Sequence, residues 1–362
     1  MALRNDVLAR FDGTSGGGPL WLPDLTVWHE WHAARGTLPE EWKGLGLSDV
    51  CRALGVPVWA VARPWRVELV GAEIRTEERD GERTIRYVTR VGTLVERWSL
   101  GPDGDWWETE YPVKTDDDLA AARQIVEARS YVMAPEEWAR LDAAVGPDGV
   151  VVMEVPARPY TDILHSLLGW SEGLMLLLGD GRTAILEMVE VLEARVQACI
   201  RQVAELTGAV VLSPDNLDGQ FVSPSDFRDH LAASYRAAAD VLHASGKRLV
   251  VHAGGPVRRL LAPLAEAGID AVEGISGPPQ GDTTLAQARR LAGPGLTVWG
   301  GIAQDLLLPS HADGDLAAAV KGAVRDGRGD GRMILGVADR VPVDADISRL
   351  WAISGLVGQA DD

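Results

Sequence analysis

From Asp116 to the C-terminus, short apolar runs alternate with amphipathic stretches at helical spacing. No other feature of the chain limits its fold so strongly. The apolar runs are GVVVMEVP, AVVLSPDN, RLVVHAGG, IDAVEGIS, LTVWGGI and MILGVAD. Between and after them come ILEMVEVLEARVQACIRQVAELTG, SPSDFRDHLAASYRAAADVLHASG, VRRLLAPLAEAG, TTLAQARRLAG, DLAAAVKGAVRDG and ISRLWAISGLV. Strands that are apolar on both faces belong in a parallel sheet covered by helices. The boundaries carry local chemistry as well. Ser223 is placed to cap a helix, with Pro224 at its first position and Asp226 completing a capping box. Gly208, Gly246 and Gly268 sit where helices end.

A parallel sheet of this kind either stays open or closes into a barrel. An open dinucleotide-binding sheet would carry G-x-G-x-x-G between a strand and a helix, and none occurs here. Successive strands end instead in a polar residue or a glycine pair: Asp215, His252 followed by Ala-Gly-Gly, Glu273-Gly, Gly300-Gly301 and Asp339. That pattern suits the catalytic face of a (β/α)8 barrel, where strand ends surround one pocket. The expected organisation is α/β: an N-terminal α+β extension over 1–115, with hairpins packing on the barrel, and a (β/α)8 TIM barrel over 116–362. Within the extension a helix is expected near Leu38–Leu54. Hairpins are read in RTIRYVTRVGTLVERWSL, broken at Gly92, and in GPDGDWWETEYPVK, whose residues 101–104 form a turn.

Charge and composition remove several classes of function. The 362 residues carry a net charge of −18, which repels nucleic acid and anionic lipid. No apolar run approaches the ~20 residues of a membrane helix, and the N-terminus lacks the apolar core of a signal peptide. Two cysteines, Cys51 and Cys199, lie in apolar helical segments and read as buried free thiols in a reducing cytoplasm. Tryptophan is over-used, 13 against 3 phenylalanines. Many of the indoles, including Trp28, Trp42, Trp59 and Trp98, fall in the first 110 residues, where packing is the simpler reading and a pocket lining the alternative.

The candidate chemistry lies at the strand ends. His252, Glu273 and Asp339 end three strands, so closure would bring one imidazole and two carboxylates to one cavity. Such a set suits a divalent metal, zinc first, or an acid/base cluster. Asp215 is a candidate catalytic carboxylate. Gly254, Gly255, Gly300 and Gly301 clear side chains from the mouth and are candidate substrate-binding positions, with turn geometry as the plain alternative. Each strand-end residue also has a local reading: His252 bonded to backbone, Asp339 paired with Arg340, Asp215 in an Asx turn. Asp282 reads as a cap for TTLAQAR. His29 and His32, three residues apart on a helix, read as a surface face rather than a metal pair.

The run from DNLDGQFVSPSDFRDHL to LAEAGIDAVEGI, with TVWGGIAQDLLL and MILGVADRVPVDADISRL, resembles the uroporphyrinogen decarboxylase superfamily over roughly 115–362. The resemblance implies the (β/α)8 barrel. It brings in tetrapyrrole decarboxylases, zinc methyltransferases working with corrinoid proteins and, more distantly, cobalamin-independent methionine synthase. In the methyltransferases a His-x-Cys pair and a later Cys hold zinc. Here the His is His252, while Gly254 and Asp339 stand at the two Cys positions. Glu273 stands where the methionine synthases use a glutamate. The decarboxylases' arginine-rich N-terminal motif is absent, and Asp215 falls in a segment resembling their central strand-end Asp. The resemblance thus implies metal-assisted methyl transfer or demethylation of a small molecule, with a thiol acceptor or a corrinoid on a partner protein. Tetrapyrrole decarboxylation and a non-catalytic binding barrel are the alternatives, and a homodimer stays open.

Overall fold

In the computed structural model eight short strands lie side by side and every pairing between neighbours is parallel. The structure describes residues 3–16, 18–101, 106–338 and 340–358. The barrel strands are β1 (Leu20–Trp21), β2 (Val58–Ala62), β3 (Gly149–Glu154), β4 (Val210–Leu217), β5 (Arg248–Ala253), β6 (Ala271–Ile275), β7 (Thr297–Ile302) and β8 (Met333–Val337). Their order in the sheet is β1-β8-β7-β6-β5-β4-β3-β2. The two ends of that order meet through Thr26, just after β1, whose hydroxyl donates to the Trp59 carbonyl on β2 at 3.4 Å. The chain is a (β/α)8 barrel, as its alternation predicts.

Strand pleating sorts the interior into layers, because side chains two apart share a face. The core takes Trp59, Val150, Val152, Val210, Val250, Ala271, Trp299 and Ile334 from seven of the strands. Two residues further along, Val61, Glu154, Leu212, His252 and Glu273 line a cavity at the C-terminal mouth. The opposite mouth is covered by helix α1 (Leu3–Asp12), which sends Val7 and Phe11 into the same core. Its last carbonyls accept from strand starts: Thr297 Oγ1 donates to Arg10 O at 2.8 Å, and Arg332 donates to Phe11 O at 2.7 Å. One mouth is therefore closed by the chain itself, and the other carries the polar side chains.

The boundary expected at residue 115 differs from the one found. Two barrel strands, β1 and β2, come from the stretch expected to be an extension. β1 has only two residues, too few to display any periodicity. β2, VWAVA, is an apolar run that pattern alone does not separate from the hairpins beside it. The chain forms two compact units. One comprises Met1–Pro64, Pro135–Val155 and Val203–Asp362 and holds all eight strands; the other comprises Trp65–Ala134 and Pro156–Gln202. The second unit contains the expected hairpins. Glu73–Arg79, Glu82–Val88, Thr93–Leu100 and Trp106–Glu110 form an antiparallel meander, and Trp65–Leu69 pairs with Arg129–Met133. Of the expected turn at 101–104, residues 102–104 lie outside the described residues. The helix expected near Leu38–Leu54 is a 3-10 turn, Glu40–Trp42, followed by a helix over Leu47–Leu54. Among the described residues no helix is long and apolar enough to cross a membrane.

Candidate active site

The barrel mouth holds a cavity of about 310 Å³. Such a volume is at the lower end of the ~300–1,000 Å³ typical of small-molecule sites. Trp59, Val61, Leu212, Pro214, Trp299 and Val337 form apolar wall, while Asp24, Thr26, Glu154, His252, Glu273 and Arg340 supply polar groups. All belong to the unit that contains the barrel.

Two of the three expected metal ligands meet there. His252 and Glu273 are register partners on neighbouring strands β5 and β6. Both point inward because each lies two residues beyond a core residue, Val250 and Ala271. The Nδ1 of His252 is 2.5 Å from Oε2 of Glu273. Both are largely buried, the His252 side chain 19% and the Glu273 side chain 11% exposed. A carboxylate in that setting is costly to desolvate without a partner, and the imidazole is one such partner. An imidazole nitrogen and a carboxylate oxygen are also common donors to a divalent metal. Asp339, the third expected ligand, lies outside the described residues. Among the described residues no set of three or more His, Cys, Asp or Glu is arranged to hold a metal ion.

Four polar cavity residues are not among the candidate site residues of the sequence pattern. Glu154 ends β3 and takes Nε and Nη2 of Arg63 on one oxygen, at 2.8 and 2.5 Å. Its signature, an acidic residue closing GVVVME, is the same as that of Glu273. Asp24 and Thr26 follow the two-residue β1, where no strand pattern marks them; the Asp24 carboxylate accepts from the Thr26 amide at 2.9 Å. Arg340, expected only as an ion-pair partner of Asp339, has its side chain in the cavity lining.

Other expected site residues have different surroundings. Asp215 is fully buried on β4 and accepts from the Tyr235 hydroxyl at 2.5 Å, and it does not line the cavity. Parity explains this: Leu212 and Pro214 face in, so Asp215 faces the helix Ala232–Ala244 that carries Tyr235. None of the four glycines lines the cavity. A Cβ on Gly254 would fall 1.5 Å from Oδ1 of Asn216, and one on Gly255 would fall 2.4 Å from Oδ2 of Asp218. At Gly300, with φ of +143°, a Cβ would meet the Ile275 carbonyl at 2.1 Å, and Gly301 has φ of +98°. Close approach of side chain and backbone accounts for these positions.

The remaining candidates are structural. Thr284, not Asp282, caps the helix Leu285–Leu291, in a capping box with Gln287. Asp282 instead accepts from the amides of Val257 and Arg258, both at 3.0 Å. His29 contacts the Leu45 carbonyl, and His32 contacts Thr37 and the Val343 carbonyl, so the two rings hold loops rather than form a pair. Both cysteines are buried free thiols, and burial pushes each up to about 12.

A similar fold occurs among solved structures. The fold is similar to that of a methyltransferase from Methanosarcina mazei, with a TM-score of 0.60 at 14% identity, covering 99% of each chain. A B12-independent methionine synthase from Shewanella sp. W3-18-1 matches at 13% identity and a TM-score of 0.43, over 96% of this chain and 94% of that one. No curated protein matches in sequence. The family model described as uroporphyrinogen decarboxylase (URO-D) matches residues 169–358, more than half of the sequence, and the chain belongs to that family.

Proposed function

We propose that this protein is an enzyme that transfers a methyl group from a small molecule to a thiol or to a corrinoid carried by a partner protein. The observation that carries the reading is the His252–Glu273 pair, two donors facing each other at 2.5 Å inside a small cavity at the barrel's open mouth. The match to a methyltransferase fold supports it in outline, since methyl transfer is what that neighbour's name states.

His252 and Glu273 would hold a divalent metal, zinc first, with Asp339 as third ligand. The two described donors fit such an ion in chemistry. The metal, when bound, supplies Lewis-acid polarisation of the acceptor or leaving group. The chain's own residues do the rest. Without a metal, the Glu273 carboxylate holds the imidazole through Nδ1 and so keeps the two donors side by side. Trp59, Trp299, Val61 and Leu212 keep water from much of the cavity wall, which strengthens every polar interaction within it. Arg63 holds Glu154 at the rim, and Asp24 and Arg340 add charges that can orient a polar substrate.

Tetrapyrrole decarboxylation has the family's name in its favour. Its expected carboxylate, Asp215, points towards Tyr235 rather than into the cavity. The test is metal analysis of the purified chain together with formation of methylcobalamin from cob(I)alamin and a panel of methyl donors. Bound zinc near one per chain and loss of turnover in chelator are expected. Full turnover in chelator, with no stoichiometric metal, would overturn the reading. Carbon dioxide released from uroporphyrinogen would favour the decarboxylase. A barrel that binds small molecules without turning any over would favour a non-catalytic role.

A further inference from the structure

Trp59 and Trp299 are buried core residues that also form part of the cavity wall. Their rings meet edge to face, with centroids 4.5 Å apart and planes at 86°. Trp299 is held from two further sides. Its indole N–H donates to the Leu22 carbonyl at 3.2 Å. On the adjacent strand, Gly336 leaves the space that the indole fills, since a Cβ there would lie 2.2 Å from Nε1. One step above the two rings, on the same inward parity, stand His252 and Glu273.

We propose that Trp59 and Trp299 form a rigid floor that sets the size of the substrate and orients it, admitting a compact amphipathic molecule whose apolar end rests on the indoles. The inference rests on the reading of this cavity as the substrate site, and it deepens that reading. The argument is geometric. Around the indoles the core is packed with Val250, Ala271 and Ile334, and Val7 and Phe11 of α1 join the same core from the opposite mouth, so no depth remains. Around and above them stand carboxylates, an imidazole and a guanidinium. A ligand entering the open mouth therefore meets polar groups at its outer end and flat aromatic surface at its inner end. Offset or edge contact with an indole rewards a flat or methyl-bearing group. A longer apolar end has nowhere to go, because interiors packed to crystal density yield little.

The test uses the full chain and a homologous series of probes, phenol and its 4-alkyl derivatives from methyl to butyl, titrated calorimetrically with chelator present and no methyl donor. The wild type is expected to lose affinity beyond a short alkyl group. Trp59→Ala should shift the preferred probe to a longer chain, raising the affinity for 4-propylphenol relative to 4-methylphenol at least tenfold. Trp59→Leu, a smaller change in the core, should give the same shift to a lesser degree, and it decides the matter if Trp59→Ala does not fold. A merely structural role would weaken the whole series without changing its order. An unchanged order in both variants, or no binding of any probe by wild type and variants alike, would overturn the proposal. Because no metal or turnover enters this measurement, its outcome is separate from that of the methyl-transfer reading, which metal content and methylcobalamin formation decide.

Discussion

Glu273 faces His252 across a single register step of the β5–β6 ladder, its Oε2 2.5 Å from the imidazole Nδ1. Substitution at either residue should affect metal binding more than stability. Both His252→Ala and Glu273→Gln are expected to weaken zinc binding at least about tenfold, as loss of a ligand or of its orienting partner does. Competition titration against a chromophoric chelator measures this. Unchanged zinc affinity in both variants would remove the pair from any metal site.

Asp215 and Tyr235 give the opposite expectation. Tyr235→Phe takes a hydroxyl from a fully buried carboxylate. Loss of one partner of a buried polar group costs about 1–3 kcal/mol. Urea unfolding should report that loss while the metal content stays as in the wild type. A variant of unchanged stability that had lost turnover would return Asp215 to the chemistry.

Gly254 and Asn216 should show strong coupling. Asn216 has φ of +47° within the β4 irregularity, and its amide occupies the place a Gly254 Cβ would take. Gly254→Ala is expected to destabilise by about 1–3 kcal/mol, the usual range for overpacking. The double variant with Asn216→Gly should recover most of that, because glycine both vacates the space and accepts positive φ. A double-mutant cycle on unfolding free energies checks it; additive losses would mean that the two positions do not conflict.

In the second unit, Glu108 should make stability depend on pH. Burial, and then the charge of Glu96, push its carboxyl up from 4.5 to about 8. Glu96 is itself buried and accepts from the Tyr87 hydroxyl at 2.7 Å. The folded state therefore holds a proton that the unfolded chain gives up above 4.5. The contribution is complete below that value and is lost as pH rises through about 8. Unfolding midpoints should fall across this window in the wild type, and less steeply in Glu108→Gln. Equal slopes in the two proteins would rule out Glu108 as the source.

How far the site is legible in the sequence depends on strand length and parity. β5, β6 and β7 each show a clear apolar run, so His252 and Glu273 are identifiable as strand-end residues. Glu154 carries the same mark and is within reach of the same reasoning. Asp215 carries the mark as well, but on the wrong parity: counting by two from Val210 reaches Pro214, and the acid beside it turns outward. β1, at two residues, has no pattern, which leaves Asp24 and Thr26 invisible.

Backbone-level choices were thus decided by the chain alone. The alternation of apolar runs and helical stretches was enough for a parallel sheet covered by helices, and the polar strand ends, with no dinucleotide motif, pointed to a closed barrel, because periodicity and strand-end composition are local properties. Which side chains share a cavity is not local. It depends on the register between strands far apart in sequence, on α1 filling one mouth, and on two indoles meeting across the interior. Those relationships arise only when the sheet closes, so tertiary structure alone joined His252 to Glu273, placed Trp59 against Trp299 and sent Asp215 to Tyr235.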